Sequence, residues 1–244
     1  MLAERIKAPI HMLLDIIYPP RCVACRQEVS AAHSLCTSCF SSIRMISDPS
    51  CACCGEPFDF AVEKGALCGR CLSDEMPYDR ACSVMIYDDA SRRMITRFKY
   101  SDRTHLAVIL SQLMSVRGHE LLSTCDVIAP VPLHWRRHLA RRYNQSYLLA
   151  RLLAQKSGKP VMKGLMRRVR HTSQQTGLSR SERERNVRGA FKVSPRAAVK
   201  DKSILLVDDV LTTGATIESC ARALKKAGAG KVLVLTAARR VARG

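Results

Sequence analysis

Asp208 and Asp209 stand side by side, and Thr212, Thr213, Gly214, Ala215 and Thr216 follow after two apolar residues. Adjacent carboxylates can each accept a hydroxyl hydrogen bond. A Thr/Gly turn that opens a helix offers unpaired backbone N–H groups and partial positive charge, with hydroxyls as extra donors. Gly214 lets the backbone approach an anion closely. Phosphate donors beside acceptors for a vicinal diol describe a site for a ribose 5-phosphate. The plainer alternative is an acidic strand end with an ordinary capping turn. No G-x-x-x-x-G-K-[ST] string occurs, which excludes a Walker loop.

A second set of reactive side chains lies near the amino terminus. Cys22 and Cys25, Cys36 and Cys39, Cys51 and Cys54, and Cys68 and Cys71 form four C-x-x-C pairs. Two-residue spacing lets one tight turn aim two thiolates at a metal, and a second turn completes a tetrahedron. Eight thiolates suit two structural Zn²⁺, with redox disulfides or an iron–sulfur centre as the alternatives. Spacing leaves the pairing open between sequential ribbons (22, 25, 36, 39, then 51, 54, 68, 71) and an interleaved arrangement. Sequential ribbons are favoured because each half is then a compact two-knuckle unit. Cys53 is a competing thiol beside Cys54. Cys82, Cys125 and Cys220 stand alone on apolar patterns and are expected in the core.

These side chains need elements to hold them. Ile204 to Val207 reads as a buried parallel strand. Ile217, Cys220, Ala221 and Leu224 mark one face of a helix over 214–227, stopped at Gly228. The acids and the Thr/Gly turn therefore lie where a strand ends and a helix begins, the edge at which open α/β sheets bind ligands. Upstream, the pattern predicts strand 82–87, helices 90–100 and 102–117, strand 126–131 and helix 144–156. An extended element near 161, a long basic loop over 167–190, strand 203–208 and strand 231–236 complete it. Strands alternating with helices imply a parallel sheet. Pro77 and residues 72–80 mark a junction, dividing the chain into 1–20, 21–76 and 77–244. The opening segment 1–20 reads as a short helical lead ended by Pro19-Pro20, without the features of a secretory leader. No run is long enough to span a membrane. Many paired cysteines in a chain expected to be cytoplasmic point to metal rather than disulfides.

Charge narrows the partners. Forty Lys and Arg against 21 Asp and Glu give a formal +19. Residues 131–200 hold 18 of the cations and two acids, Glu182 and Glu184. Binding two Zn²⁺ through eight thiolates lowers the total only to +15. Such a block implies a polyanionic ligand or partner, unless it is simply a solvated basic face.

The run from Val207 to Thr216 resembles the phosphoribosyl-diphosphate (PRPP) motif of type I phosphoribosyltransferases. The whole chain resembles the ComF family of bacterial competence proteins. Phe98-Lys99-Tyr100 is similar to that family's L-K-Y segment. Val131-Pro132-Leu133 with Arg136, Arg137, Arg141, Arg142, Asn144 and Gln145 is similar to its V-P-L…R-x-R-G-F-N-Q run. Gln175, Leu178, Arg183, Arg185, Asn186, Ala190 and Phe191 match its Q-x-x-L…R-x-R-N…A-F segment. Arg142-Tyr143 departs from it, standing where Gly-Phe is usual. The resemblance implies an α/β fold, a type I phosphoribosyltransferase-like parallel sheet flanked by helices and preceded by a double zinc ribbon. It implies that Asp208 and Asp209 hold the ribose hydroxyls and Thr212 to Thr216 the 5-phosphate. Val131 to Leu133 with Arg136 and Arg137 would grip pyrophosphate, and Mg²⁺ would accompany PRPP. Lys99, Arg141, Arg142, Asn144, Gln145, Gln175, Arg183, Arg185 and Asn186 would serve a hood or a nucleic acid.

Three functions are consistent with this pattern. An enzyme would pass ribose 5-phosphate from PRPP to a nitrogen acceptor, although the sequence shows no base-recognition segment or general base. His134, His138 and His171 read as surface residues of basic loops. A DNA-uptake protein would hold single-stranded DNA on basic loops, with Trp135, Tyr143, Tyr147 and Phe191 as stacking platforms; competence proteins would be its protein partners. A PRPP-sensing regulator would combine the two ligands.

Overall fold

The computed structural model describes residues 18–100, 105–133, 144–169, 182 and 189–241. It forms two compact units, one ending at Ile43 and one beginning at Arg44. In the smaller unit Arg21 and Glu28 bridge antiparallel around a turn that carries Arg26 at φ 72°. Helix α1 (Thr37–Ser41) follows, with Cys36 as its N-cap and no buried residue of its own. So little apolar burial leaves a bound metal to supply much of the folding energy of such a module.

The larger unit opens with a second ribbon, bridged at Ser50 and Pro57, and helix α2 (Gly69–Ser73) with Cys68 as N-cap. The α/β part then runs β1 (Arg80–Ile86), α3 (Asp89–Tyr100), α4 (His105–Arg117), α5 (His119–Thr124), β2 (Val127–Pro130) and α6 (Gln145–Ser157). It closes with β3 (Met166–Arg168), β4 (Phe191–Val193), β5 (Ser203–Leu211), α7 (Ala215–Lys226) and β6 (Lys231–Arg239). Among the described residues, no helix is long and apolar enough to cross a membrane.

Strands β1, β6, β5 and β2 form a parallel sheet in that order. Its central strands are apolar almost throughout because helices cover both faces. Ile204, Leu206, Val232 and Val234 pack with Ile217, Cys220, Ala221 and Leu224 of α7. Cys51, Cys54 and Tyr78 belong to the same core, so the second ribbon is built into this face. On the other face α4 packs on β1, β6 and α6, while α6 packs on β2 and β5. Gly118, between α4 and α5, has no room for a side chain: a Cβ would stand 2.6 Å from Leu235 Cδ2.

Most expected elements appear within three residues of their predicted bounds. Helix 102–117 is described from His105, and the extended element near 161 is a single parallel bridge from Val161 to Ile128. Besides the two short ribbon helices, three elements of the α/β part were not foreseen. Helix α5 is one, and strands β3 and β4 are the others, too short to carry a period. These two pair antiparallel at the ends of the predicted 167–190 loop, and Val169 N–H donates to the Ala190 carbonyl at 2.8 Å.

One difference bears on the site. The strand expected to end at 208 continues to Leu211, because β6 keeps pairing with it through Val210↔Ala238 and Leu211↔Arg239. Tertiary pairing here overrides the poor strand propensity of two acids. Strand β2 stops earlier, at Pro130 opposite Val207. Residues 208–211 thus run past the end of β2, and a cleft opens beside them.

Candidate functional site

The cleft has a volume of about 150 Å³ and gathers residues from five segments. Asp208 to Thr212 form one wall, and Gly214, Thr216 and Ile217 form the floor at the start of α7. Val131, Pro132 and Leu133 enter after β2, Lys99 from the end of α3 and Arg168 from the end of β3.

The start of α7 leaves its first turn without a side-chain cap. Gly214 is the N-cap at φ 87°, a conformation that glycine adopts without strain, and it supplies no capping side chain. The first-turn N–H groups therefore have no side-chain cap, and the positive end of the helix dipole faces the turn. Thr213 Oγ1 is buried without a hydrogen-bond partner. Buried hydroxyls are rarely left so.

The two acids are held by different elements. Ser146 Oγ donates to Asp208 Oδ1 at 2.8 Å, and Asp209 N–H donates to the same oxygen at 2.9 Å. Burial, with the charge of Asp209 next in importance, pushes the Asp208 carboxyl up to about 7. Asp209 is 8% exposed and ion-paired with Lys99, Nζ to Oδ1 at 3.0 Å. This pairing offsets one negative charge in the cleft.

The start of α6 braces the cleft. Asn144 caps the helix by accepting from Tyr147 N–H at 3.2 Å, and its Nδ2 donates to the Val131 carbonyl at 3.4 Å. Gln145 is 1% exposed, and its Nε2 donates to the Lys99 carbonyl at 3.1 Å. Ser146, the next residue, holds Asp208. Lys99, Asn144 and Gln145, expected to serve a hood or nucleic acid, are thus brought to the acid pair or to the segments that carry it.

The structure also places Asp208, Asp209, Val131 to Leu133 and, from the Thr/Gly turn, Thr212, Gly214 and Thr216 around one cleft, with Thr213 and Ala215 outside its lining. Arg136, Arg137, Arg141, Arg142, Gln175, Arg183, Arg185 and Asn186 lie outside the described residues, as do His134, His138, His171, Trp135 and Tyr143. Two of the proposed stacking platforms are already engaged. Phe191 is 4% exposed beneath the Arg168 guanidinium at 5.3 Å, so it is no platform for a base. Lys163 Nζ stands 5.1 Å over the Tyr147 ring. Sequence reasoning missed Ser146 and Arg168. Neither has a local signal, since each joins the cleft only through the fold.

The cysteines fall into two groups, 22, 25, 36, 39 and 51, 54, 68, 71, and within each group the four Sγ atoms lie within 4.8 Å of one another. Cys25 and Cys36 Sγ are 3.6 Å apart, as are Cys54 and Cys68 Sγ. Zn–S bonds of about 2.3 Å make a tetrahedral edge of about 3.8 Å, so each group fits one Zn²⁺. Cys36 N–H donates to Cys22 Sγ, and Cys68 N–H to Cys51 Sγ, both at 3.3 Å. Such bonds orient thiolates and offset their charge. With all four sulfurs of a group as ligands no coordination position would stay open, so the clusters fit structural rather than catalytic sites.

Comparison with known proteins covers both parts. Residues 13–72 match the double zinc ribbon domain, and residues 144–243 match the phosphoribosyl transferase domain. The chain is 31% identical to competence protein F of Haemophilus influenzae over 226 residues, 90% of this chain and 96% of that one. It is 33% identical to the DNA utilization protein YhgH of Salmonella typhimurium over 222 residues, covering 88% and 95% of the two chains. It is 27% identical to competence protein ComFC of Bacillus subtilis over 203 residues, 80% of each.

Proposed function

The chain belongs to the family of competence protein F and the DNA utilization protein YhgH, and from that premise we propose that it is a cytoplasmic protein of DNA uptake that binds both PRPP and single-stranded DNA. One observation carries the PRPP half: the helix start at Gly214, which has no side-chain cap, and the Asp208–Asp209 pair share a single cleft. Main-chain donors of 213–216 take the 5-phosphate. Asp208 and Asp209 accept the ribose hydroxyls. Lys99 lowers the negative charge near the incoming anion. Val131 to Leu133 line the cleft on the side read as the diphosphate's, and Arg136 and Arg137 are the cations proposed for it, since guanidinium forks suit its oxygens. Ser146 and Lys99 already hold the acids, so Mg²⁺ is expected to arrive on the diphosphate.

The DNA half rests on the basic block of residues 131–200 and on what the relatives are named for. A charge-driven contact of this kind binds without strong sequence preference and weakens steeply with salt.

Calorimetry with PRPP and Mg²⁺ tests the first half. Wild type should bind, and Asp208→Asn with Asp209→Asn should lose affinity by at least about a hundredfold, two buried hydrogen-bonding acids being removed. No heat from wild type at saturating ligand overturns the reading. For the second half, labelled single-stranded DNA should dissociate with rising salt, and Arg141→Ala with Arg142→Ala should weaken it further. Absence of binding at low salt rejects the DNA half and leaves the PRPP half standing.

A further inference from the structure

Arg70 lies within the second ribbon, between Cys68 and Cys71, yet its side chain ends at the phosphate-type loop of the α/β part. Its Nη1 donates to the Thr213 carbonyl at 3.3 Å, and its Nη2 is ion-paired and hydrogen-bonded to Glu218. These contacts span 143 and 148 residues of chain. Glu218 is 5% exposed in the first turn of α7, and a Cβ built on Gly214 would stand 2.6 Å from its Oε1. The carboxylate therefore fills the space directly behind Gly214. Arg222 also reaches it, at 3.6 Å and from a more exposed position.

This geometry has two effects. The guanidinium fork ties the carbonyl before Gly214 to the acid after it, holding the back of the turn whose front presents the donors. It also neutralises a buried carboxylate that would otherwise oppose an anion across the turn. The cysteines that flank Arg70 set where its side chain begins, so the metal-binding knuckle serves as the anchor.

We propose that Arg70 is a positioning residue for the anion-binding turn, which makes the second ribbon a working part of the ligand site rather than an appended module. The proposal rests on the reading that this turn takes the phosphate of a ribose 5-phosphate. Its test separates the two ideas.

Backbone hydrogen exchange is measured on the full zinc-loaded chain without ligand, for wild type, Arg70→Met, Arg70→Lys and Glu218→Gln. The expected result is exchange at residues 213–216 at least about tenfold faster in Arg70→Met, with β6 amides unchanged. Arg70→Lys keeps the charge on Glu218 but not the fork, so it should recover thermal stability and leave the turn loose. A merely structural ion pair predicts the opposite, recovery of both. Glu218→Gln removes the second anchor without leaving an unpaired buried acid, and it should also speed exchange in the turn. PRPP affinity is then measured for wild type and Arg70→Met, with a loss of about tenfold expected. Wild-type exchange at 213–216 in Arg70→Met overturns the proposal, whatever PRPP does. A loosened turn in a protein that never binds PRPP upholds the positioning role and defeats the functional reading instead.

Discussion

In both ribbons the first cysteine's N–H donates to a carbonyl five residues on at 2.7 Å, Cys22 to Gln27 and Cys51 to Glu56. Both turns hold a residue at positive φ, Arg26 at 72° and Gly55 at 70°. Both end in a five-residue helix capped by a cysteine. The local plan is shared, and three of the positions that differ set the ribbons apart. Where the first ribbon has Arg26, Gln27 and Ser38, the second has Gly55, Glu56 and Arg70. Each of the latter meets the α/β part. A Cβ at Gly55 would lie 2.6 Å from the Ala81 carbonyl. Glu56 is ion-paired with buried Arg239, whose guanidinium also donates to the Cys54 carbonyl. Arg70 holds the turn before α7. The metal-binding pattern sets the shape of a ribbon; in the second one, the residues between the ligands make it part of a larger core.

The contrast can be broken most severely at the ligands. Cys54 is 3% exposed within the core of the larger unit. Cys54→Ser should abolish its cooperative melting, whereas Cys25→Ser should leave that transition within about 3 °C of wild type in calorimetry. Native mass spectrometry should find two zinc ions in wild type and one in Cys25→Ser.

Next in size is the buried ion pair. Arg239→Met strands Glu56 and should cost about 3–5 kcal/mol, against less than about 0.5 kcal/mol for Gln27→Ala, both read from denaturant midpoints. Equal effects would show that the two ribbons are integrated alike. Smaller again is the glycine. Gly55→Ala should cost about 2 kcal/mol, from a clash with backbone and a strained φ, while Arg26→Gly should stabilise its turn by roughly 0.5–1 kcal/mol.

The smallest expected effect lies at the cleft. Asp208 is raised from 3.8 to about 7 in the folded chain. The native state therefore binds the proton more tightly than the unfolded state, and stability falls as pH rises from about 4 to about 7. Above that window the cost of the buried carboxylate is fully present. Asp208→Asn should raise Tm by about 3 °C at pH 8, and the gain should shrink as pH drops toward 4. A pH-independent difference would show that Asp208 is not the titrating group.

The parts legible in the sequence were the local ones. C-x-x-C spacing marks ligand pairs because one tight turn brings both sulfurs to a metal, and the acid–Thr/Gly run marks the strand-to-helix turn that builds the cleft. Apolar runs marked β5, β6 and α7 because those elements are covered on known faces. What escaped depends on contacts between distant positions. Nothing near Arg70 points to a turn 143 residues later, and nothing near Arg239 points to Glu56. Lys99 and Gln145, which the resemblance assigned to a hood or a nucleic acid, are placed by α3 and α6 against Asp209 and the Lys99 carbonyl. The extension of β5 through both acids could not be read from β5, because its cause is the length of β6.

The short β3–β4 hairpin has a consequence for how this chain can vary. Its pairing holds residues 168 and 191 opposite each other, next to the cleft that Arg168 lines. The spacing of these two anchors is set by backbone hydrogen bonds, so it does not depend on how many residues are spliced between them. Doubling such an insert adds only about 0.6 kcal/mol of closure entropy. The sheet and its acid pair can thus stay in register whatever the length of chain between the two anchors.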